Sequence, residues 1–127
     1  MWCVGFRRSD GKIWRVSGSG DRRSFALGYY DALQKRIEQR AWLLLRESNP
    51  VDRSSVTLRD PAPERTYKVE IQGPDGEWMP EVSGSREYCH GYFYSVTDAR
   101  PAPAVQMLDP EGEIYDERGP AKAPSPA

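Results

Sequence analysis

Three stretches share one rhythm of hydrophobic and polar positions: FRRSDGKIWRV (Phe6 to Val16), VEIQGPDGEWMPEV (Val69 to Val82) and VQMLDPEGEIY (Val105 to Tyr115). Each sets an apolar-containing run on either side of a turn built on an acidic residue and a glycine. Alternation of period two marks half-buried strands, so each stretch predicts a hairpin. In the first, a Ser9-Asp10-Gly11 loop with Gly11 left-handed places position 8 opposite 12, 6 opposite 14 and 4 opposite 16. That register gathers Trp2, Val4, Phe6, Trp14 and Val16 on one face, leaving Cys3, Gly5, Arg7, Ile13 and Arg15 on the other. A slip of one residue would scatter the apolar set, so the pattern selects the register. In the second, a two-residue turn at Asp75-Gly76, or a four-residue loop in the same register, puts Val69, Ile71, Trp78, Pro80 and Val82 on one face and Glu70, Gln72, Glu77, Met79 and Glu81 on the other.

Between these hairpins the period changes. GYYDALQKRIEQRAWLLLRES predicts a helix over 28–48, with Tyr30, Leu33, Ile37, Ala41, Leu44 and Leu45 as its buried stripe and Asn49-Pro50 as its end. SVTLR, 55–59, reads as a short strand closed by the prolines of DPAPE. REYCHGYFYSVTDAR balances helix against strand, because its aromatic and β-branched residues favour strands, and a short or irregular helix near 96–100 is expected. Trp2, Val4, Phe6, Trp14, Val16, Leu33, Ile37, Ala41, Leu44, Val69, Ile71 and Trp78 form the expected core.

The fold class that follows is α+β: two related ββαβ-like halves, with an antiparallel sheet and one long helix on its apolar face. SVTLRDPAPERTY aligns in outline with AVQMLDPEGEIYDE, Val56 falling on Val105 and Leu58 on Met107, and GYY at 28–30 echoes GYF at 91–93. A decayed duplication of 1–65 in 66–117 accounts for both. A single domain over 1–117 is expected, and RGPAKAPSPA, 118–127, without apolar periodicity, reads as a disordered tail.

Composition adds a division of charge. Residues 1–65 hold 13 Lys and Arg against 8 Asp and Glu, whereas residues 66–127 hold 5 against 11. A basic half and an acidic half can attract each other or mark partner surfaces. No apolar run reaches the length of a membrane span and no signal-peptide order opens the chain, so a cytoplasmic protein that makes no membrane contact is expected. Cys3 and Cys89 are then expected as thiols.

Motifs for chemistry are weak throughout. Cys89 beside His90 suggests a nucleophile and base, but sequence neighbours need not meet in space. Cys3, Cys89 and His90 lack zinc-ligand spacing, and GSGDRRS, 18–24, lacks the phosphate-loop pattern, so neither a metal nor a cofactor is expected. Glu77, Glu81, Glu111 and Glu113 sit where hairpin tips and outer faces are solvated, which disfavours a two-carboxylate hydrolase.

What remains is recognition. Arg7, Arg8, Lys12, Arg15, Arg22, Arg23, Arg36 and Arg40 form a basic set suited to phosphate or carboxylate oxygens. An isoelectric point near 5.9 counts against a dedicated nucleic-acid binder. The reading is a non-catalytic protein that engages a protein or nucleoprotein partner, through Arg7, Arg15, Arg22, Arg23, Arg36 and Arg40, through Glu77 and Glu81, or through Tyr92 and Tyr94 of the aromatic cluster. An accessory or inhibitory protein of a mobile element, acting by charge mimicry, is a narrower form of it. Nucleic-acid binding by the basic half and a small enzyme using Cys89 or a carboxylate pair are the alternatives, and exposed hairpin edges leave a homodimer open.

Overall fold

The computed structural model of the chain describes residues 1–18, 23–36, 42–58 and 62–120, without the side chains of residues 17 and 18. A hairpin of β1 (Trp2–Arg7) and β2 (Ile13–Gly18) leads to helix α1 (Arg23–Arg36), then β3 (Trp42–Arg46) and β4 (Asn49–Val51). The order returns as β5 (Tyr67–Gln72), β6 (Trp78–Gly84), α2 (Arg86–Thr97), β7 (Val105–Leu108) and β8 (Ile114–Arg118). Both sheets are antiparallel, with strand orders β2-β1-β3-β4 and β6-β5-β7-β8. The fold is therefore α+β with two related halves. Each half is ββαββ and carries its own helix.

The three hairpins repeat one device. Gly11, Gly76 and Gly112 close their loops at φ of 85°, 86° and 85°, a conformation that only a residue without Cβ adopts freely. Asp10, Asp75 and Asp109 each accept a backbone N–H two residues on, holding the turn from the side. Each hairpin then carries a bulge, with Val16, Glu81 and Tyr115 as the extra residues. In the first hairpin the expected register holds at Phe6 opposite Trp14 and breaks at the bulge, where Val4 faces Ser17. In the second, the loop is Pro74-Asp75-Gly76, which puts Trp78 opposite Gln72 and Met79 opposite Ile71, one residue from expectation. The bulge at Glu81 then restores Val82 to its place opposite Val69.

The expected long helix ends earlier. Among the described residues α1 stops at Arg36, and Trp42–Arg46 is a strand in which Leu44 and Leu45 are buried. A continuous apolar run such as WLLL suits a central strand with both faces covered as well as it suits a helix stripe, and length alone does not separate the two. Asn49 and Pro50, expected to stop a helix, instead form β4. The expected strand over 55–59 is absent from the described part of that stretch: Arg53–Ser55 form a single 3-10 turn whose first N–H groups are capped by Asp52. Conversely, the aromatic-rich stretch is a regular helix from Arg86 to Thr97, capped by Ser85.

The repeat is thus real in topology, but its equivalences differ from the alignment of Val56 with Val105. Val4 pairs with Leu44 as Val69 pairs with Met107, so β3 is the counterpart of β7. Gly28 and Gly91, each the sixth residue of its helix, are true counterparts. A Cβ on Gly28 would lie 2.0 Å from the Tyr88 carbonyl oxygen, and one on Gly91 would lie 2.0 Å from that of Phe25. The helices cross at these two glycines with local two-fold symmetry, backbone against backbone.

Each helix covers the central strands of its own sheet, and the two helices pack on each other. One core follows, with Val4, Trp42 and Leu44 from the first sheet, Leu27, Tyr29 and Leu33 from α1, Tyr88, Tyr92, Phe93 and Val96 from α2, and Val69, Val105 and Met107 from the second sheet. Trp2, Phe6 and Ile71 pack at its margin. Three expected core residues lie outside it: Trp14 is 51% exposed, Val16 40% and Trp78 38%. All three are on β2 or β6, edge strands that the helices touch less than the central strands of each sheet. Ile37 and Ala41 lie outside the described residues. Of the expected tail, Arg118 belongs to β8, and residues 121–127 lie outside the described part.

Candidate functional site

Exposed large apolar side chains lie on three edge strands, Trp78 and Met79 on β6, Ile114 and Tyr115 on β8, and the longest row on β2, where Ile13 is 37% exposed, Trp14 51% and Val16 40%. Among the described residues the strand order makes β2 an edge, so the row lies beside backbone that no described strand pairs. Alternation divides the flanking cations between the two faces. Arg8 stacks over the Trp14 ring at 4.9 Å on the helix side, while Arg7 and Arg15 share the outer face with Ile13. Arg15 donates to the Ser48 hydroxyl, fixing it across the sheet. Lys12 is exposed where β2 begins.

Other members of the sequence-predicted set are elsewhere. Arg23 is exposed at the start of α1, and Arg22 and Arg40 lie outside the described residues. Arg36 is drawn inward: it donates to Ser95 O at 2.5 Å and Ser95 Oγ at 2.8 Å, and burial pulls its affinity for a proton down. Glu77 is exposed beside its hairpin tip. Glu81 is half-buried, accepting from Tyr92 at 3.2 Å and pairing with Lys35. Tyr92 is 3% exposed, with its phenol pushed upward by burial and then by the Glu81 charge. Tyr94 is half-buried, its ring 4.6 Å from that of His90. Packed between α1 and its own sheet, α2 has more than one side to bury, so Tyr88, Tyr92 and Phe93 join the core.

The structure also joins residues that sequence reasoning passed over. Asp31 accepts from Arg53 Nε at 2.9 Å and Nη2 at 3.0 Å, and from the Tyr88 hydroxyl at 2.6 Å. Tyr29 donates to Asp98 at 2.6 Å on the far side of the helix pair. Burial first, and then these carboxylates, push the Tyr88 and Tyr29 phenols upward. Both contacts cross between halves, which is why no local pattern announces them.

For chemistry, the Cys89 thiol is fully buried and burial pushes it up to about 12, the reverse of what a nucleophile needs. On α2 the side chain of His90 points about 100° away from that of Cys89. Its ring sits among Phe25, Phe93, Tyr94 and Tyr115, with Nε2 3.5 Å from Asp116 Oδ2. A thiol raised in the folded state favours the fold fully below the ordinary thiol range, and that contribution is lost as pH rises from about 9 towards 12. Unfolding free energy should therefore fall over this window more steeply in the wild type than in Cys89→Ala. Parallel slopes in urea titrations would refute the assignment.

A cleft of about 340 Å³ lies between the end of α2 and β8, lined by Tyr94, Asp98, Arg100 and Arg118 among others. Its charged groups already have partners: Arg100 donates to Thr97 O and Ala99 O, Arg118 pairs with Asp116, and Asp98 holds Tyr29. Among the described residues no three His, Cys, Asp or Glu side chains converge as metal ligands, and no helix is long and apolar enough to cross a membrane. The chain matches no known family, no curated protein and no solved structure.

Proposed function

We propose that this protein is a non-catalytic binding module whose β1–β2 hairpin engages a protein partner. The observation that carries the reading is the exposed row Ile13, Trp14 and Val16 on an edge strand, set among Arg7, Arg8, Lys12 and Arg15. Tryptophan and arginine dominate the energy of protein interfaces, and a tryptophan half in water beneath a stacked guanidinium is an anchor already held in place. Charge mimicry through the acidic half gains less support, because Glu81 is occupied by Lys35 and Tyr92.

A photo-reactive residue at Ser9, on the first hairpin tip, tests the proposal in cells against the same residue at Pro74, its counterpart on the second tip. A discrete adduct is expected from Ser9 and not from Pro74. Trp14→Ala should reduce its yield at least about 10-fold while leaving the fold intact, since hot-spot truncation costs 2 kcal/mol or more. Equal labelling from both tips would sink the reading.

The second reading, nucleic-acid binding, draws on the same Arg8 and Trp14 stack, on which an unpaired base could lie. It requires anisotropy of labelled single-stranded DNA or RNA to rise with protein and to fall steeply with salt.

A further inference from the structure

The two halves form an internal control for their sheet edges. In the first hairpin Arg8 N–H donates to Lys12 O, so that pair is hydrogen-bonded within the ladder. Alternation then turns the N–H and C=O of Ile13 and Arg15 away from β1, towards the open side of β2. In the second hairpin Gly73 N–H donates to Glu77 O, and the equivalent outward positions are Trp78 and Pro80. Pro80, the counterpart of Arg15, has no N–H to offer.

The remaining edges are less suited than β2 to adding an acidic strand. β4 is three residues long and Pro50, opposite Leu45, again takes the outward position. β8 exposes Ile114 and Tyr115, but its bulge falls at Tyr115, next to the outward Ile114, and the acidic Asp116 and Glu117 that follow would repel an acidic strand. Prolines, charge, shortness and bulges are the means by which proteins block edge pairing. β2 has a bulge at Val16 but keeps both outward donors beside exposed apolar side chains.

We propose that β2 accepts an acidic extended segment of a partner protein as an added strand. The inference rests on the binding reading above and specifies its geometry. Main-chain hydrogen bonds to Ile13 and Arg15 would supply affinity, and Arg7, Lys12 and Arg15 would select carboxylates on the incoming strand. A second copy of β2 would bring its own Lys12 and Arg15 to an edge that is already cationic, whereas an acidic strand brings carboxylates, so charge complementarity favours the acidic partner.

The test uses the full chain, isotopically labelled, with a capped nine-residue peptide of alternating Glu and Val and a Lys-for-Glu counterpart. The Glu peptide should bind saturably, shift the amides of residues 13–16 and slow exchange at Ile13 and Arg15, while the Lys peptide should not bind. Arg15→Ala keeps the backbone donor and loses the guanidinium with its bond to Ser48, whereas Arg15→Pro loses the backbone donor too and should bind about 10-fold more weakly than Arg15→Ala. Arg15→Pro should fold, because Pro80 is accommodated at the same place in the second hairpin, and circular dichroism and melting of the variant verify that. Absence of saturable binding, equal binding by Arg15→Ala and Arg15→Pro, or shifts centred on another edge would each overturn the proposal. Sedimentation showing a dimer that Arg15→Pro dissolves would also overturn it, by making a second copy the occupant. The Ser9 adduct separates the two readings: if it survives Arg15→Pro, the binding module stands and strand addition falls.

Discussion

Gly28→Ala is expected to lower the unfolding free energy by about 3 kcal/mol, and Gly91→Ala by a similar amount. Helix propensity argues the other way, since alanine is better than glycine by about 1 kcal/mol in a helix interior. Contact decides the sign. The added methyl on Gly28 would stand 2.0 Å from Tyr88 O and 2.8 Å from Tyr92 N, and both are backbone atoms that no rotamer change can move aside. Relief requires the helices to separate, which loosens the packing of Leu27, Tyr29, Tyr92 and Phe93 together. Urea denaturation should show a lower midpoint at unchanged slope for each variant. Gly84→Ala is the control, because its nearest neighbour is a Tyr88 ring carbon at 3.3 Å, and it should cost far less. Stabilisation by Gly28→Ala would mean that the helices do not cross there.

That crossing shows what the sequence could and could not reveal. The echo of GYY and GYF was visible, and it marks the close approach of the helices, but a repeat of three residues does not say why glycine stands first. Alternation read the first hairpin correctly near its tip, because Gly11 fixed the loop and the face pattern did the rest. It failed by one residue in the second, where Pro74-Asp75-Gly76 forms the loop and the bulge at Glu81 undoes the shift. A bulge changes pairing without changing the period on either side, so alternation does not see it. The run WLLL was ambiguous for another reason: a strand covered on both faces has no polar beat, and helix spacing can be drawn through it.

The candidate site was legible in half. Arg7 and Arg15 were placed on one face by alternation alone, and the structure keeps them there. Trp14 falls in the expected core because the face pattern is blind to strand order, and only the order β2-β1-β3-β4 puts it on an edge strand, half in water. Arg36 and Tyr92 read as surface groups for the opposite reason, since the partner of Arg36 comes from the other half of the chain and that of Tyr92 from the preceding strand.

The Asp31 network is the strongest case of such long-range pairing, and its removal carries the second large effect. Asp31→Ala is expected to lose about 3 kcal/mol, because it leaves the half-buried Arg53 guanidinium and the buried Tyr88 hydroxyl without their acceptor. Asp31→Asn should lose about half as much, as an amide oxygen still accepts from Tyr88 but carries no charge for Arg53. Tyr88→Phe alone should cost about 1 kcal/mol, since Arg53 continues to satisfy the carboxylate. The double variant Asp31→Ala, Tyr88→Phe should then be less destabilised than the two losses added, by about 1 kcal/mol, because the phenylalanine removes the hydroxyl that Asp31→Ala strands. Strict additivity in this cycle would mean that the hydroxyl finds another acceptor when Asp31 is gone. A coupling of the expected sign would show that one carboxylate on α1 ties the Arg53 turn and the start of α2 into a single cooperative unit, spanning the two halves that the charge division had set apart.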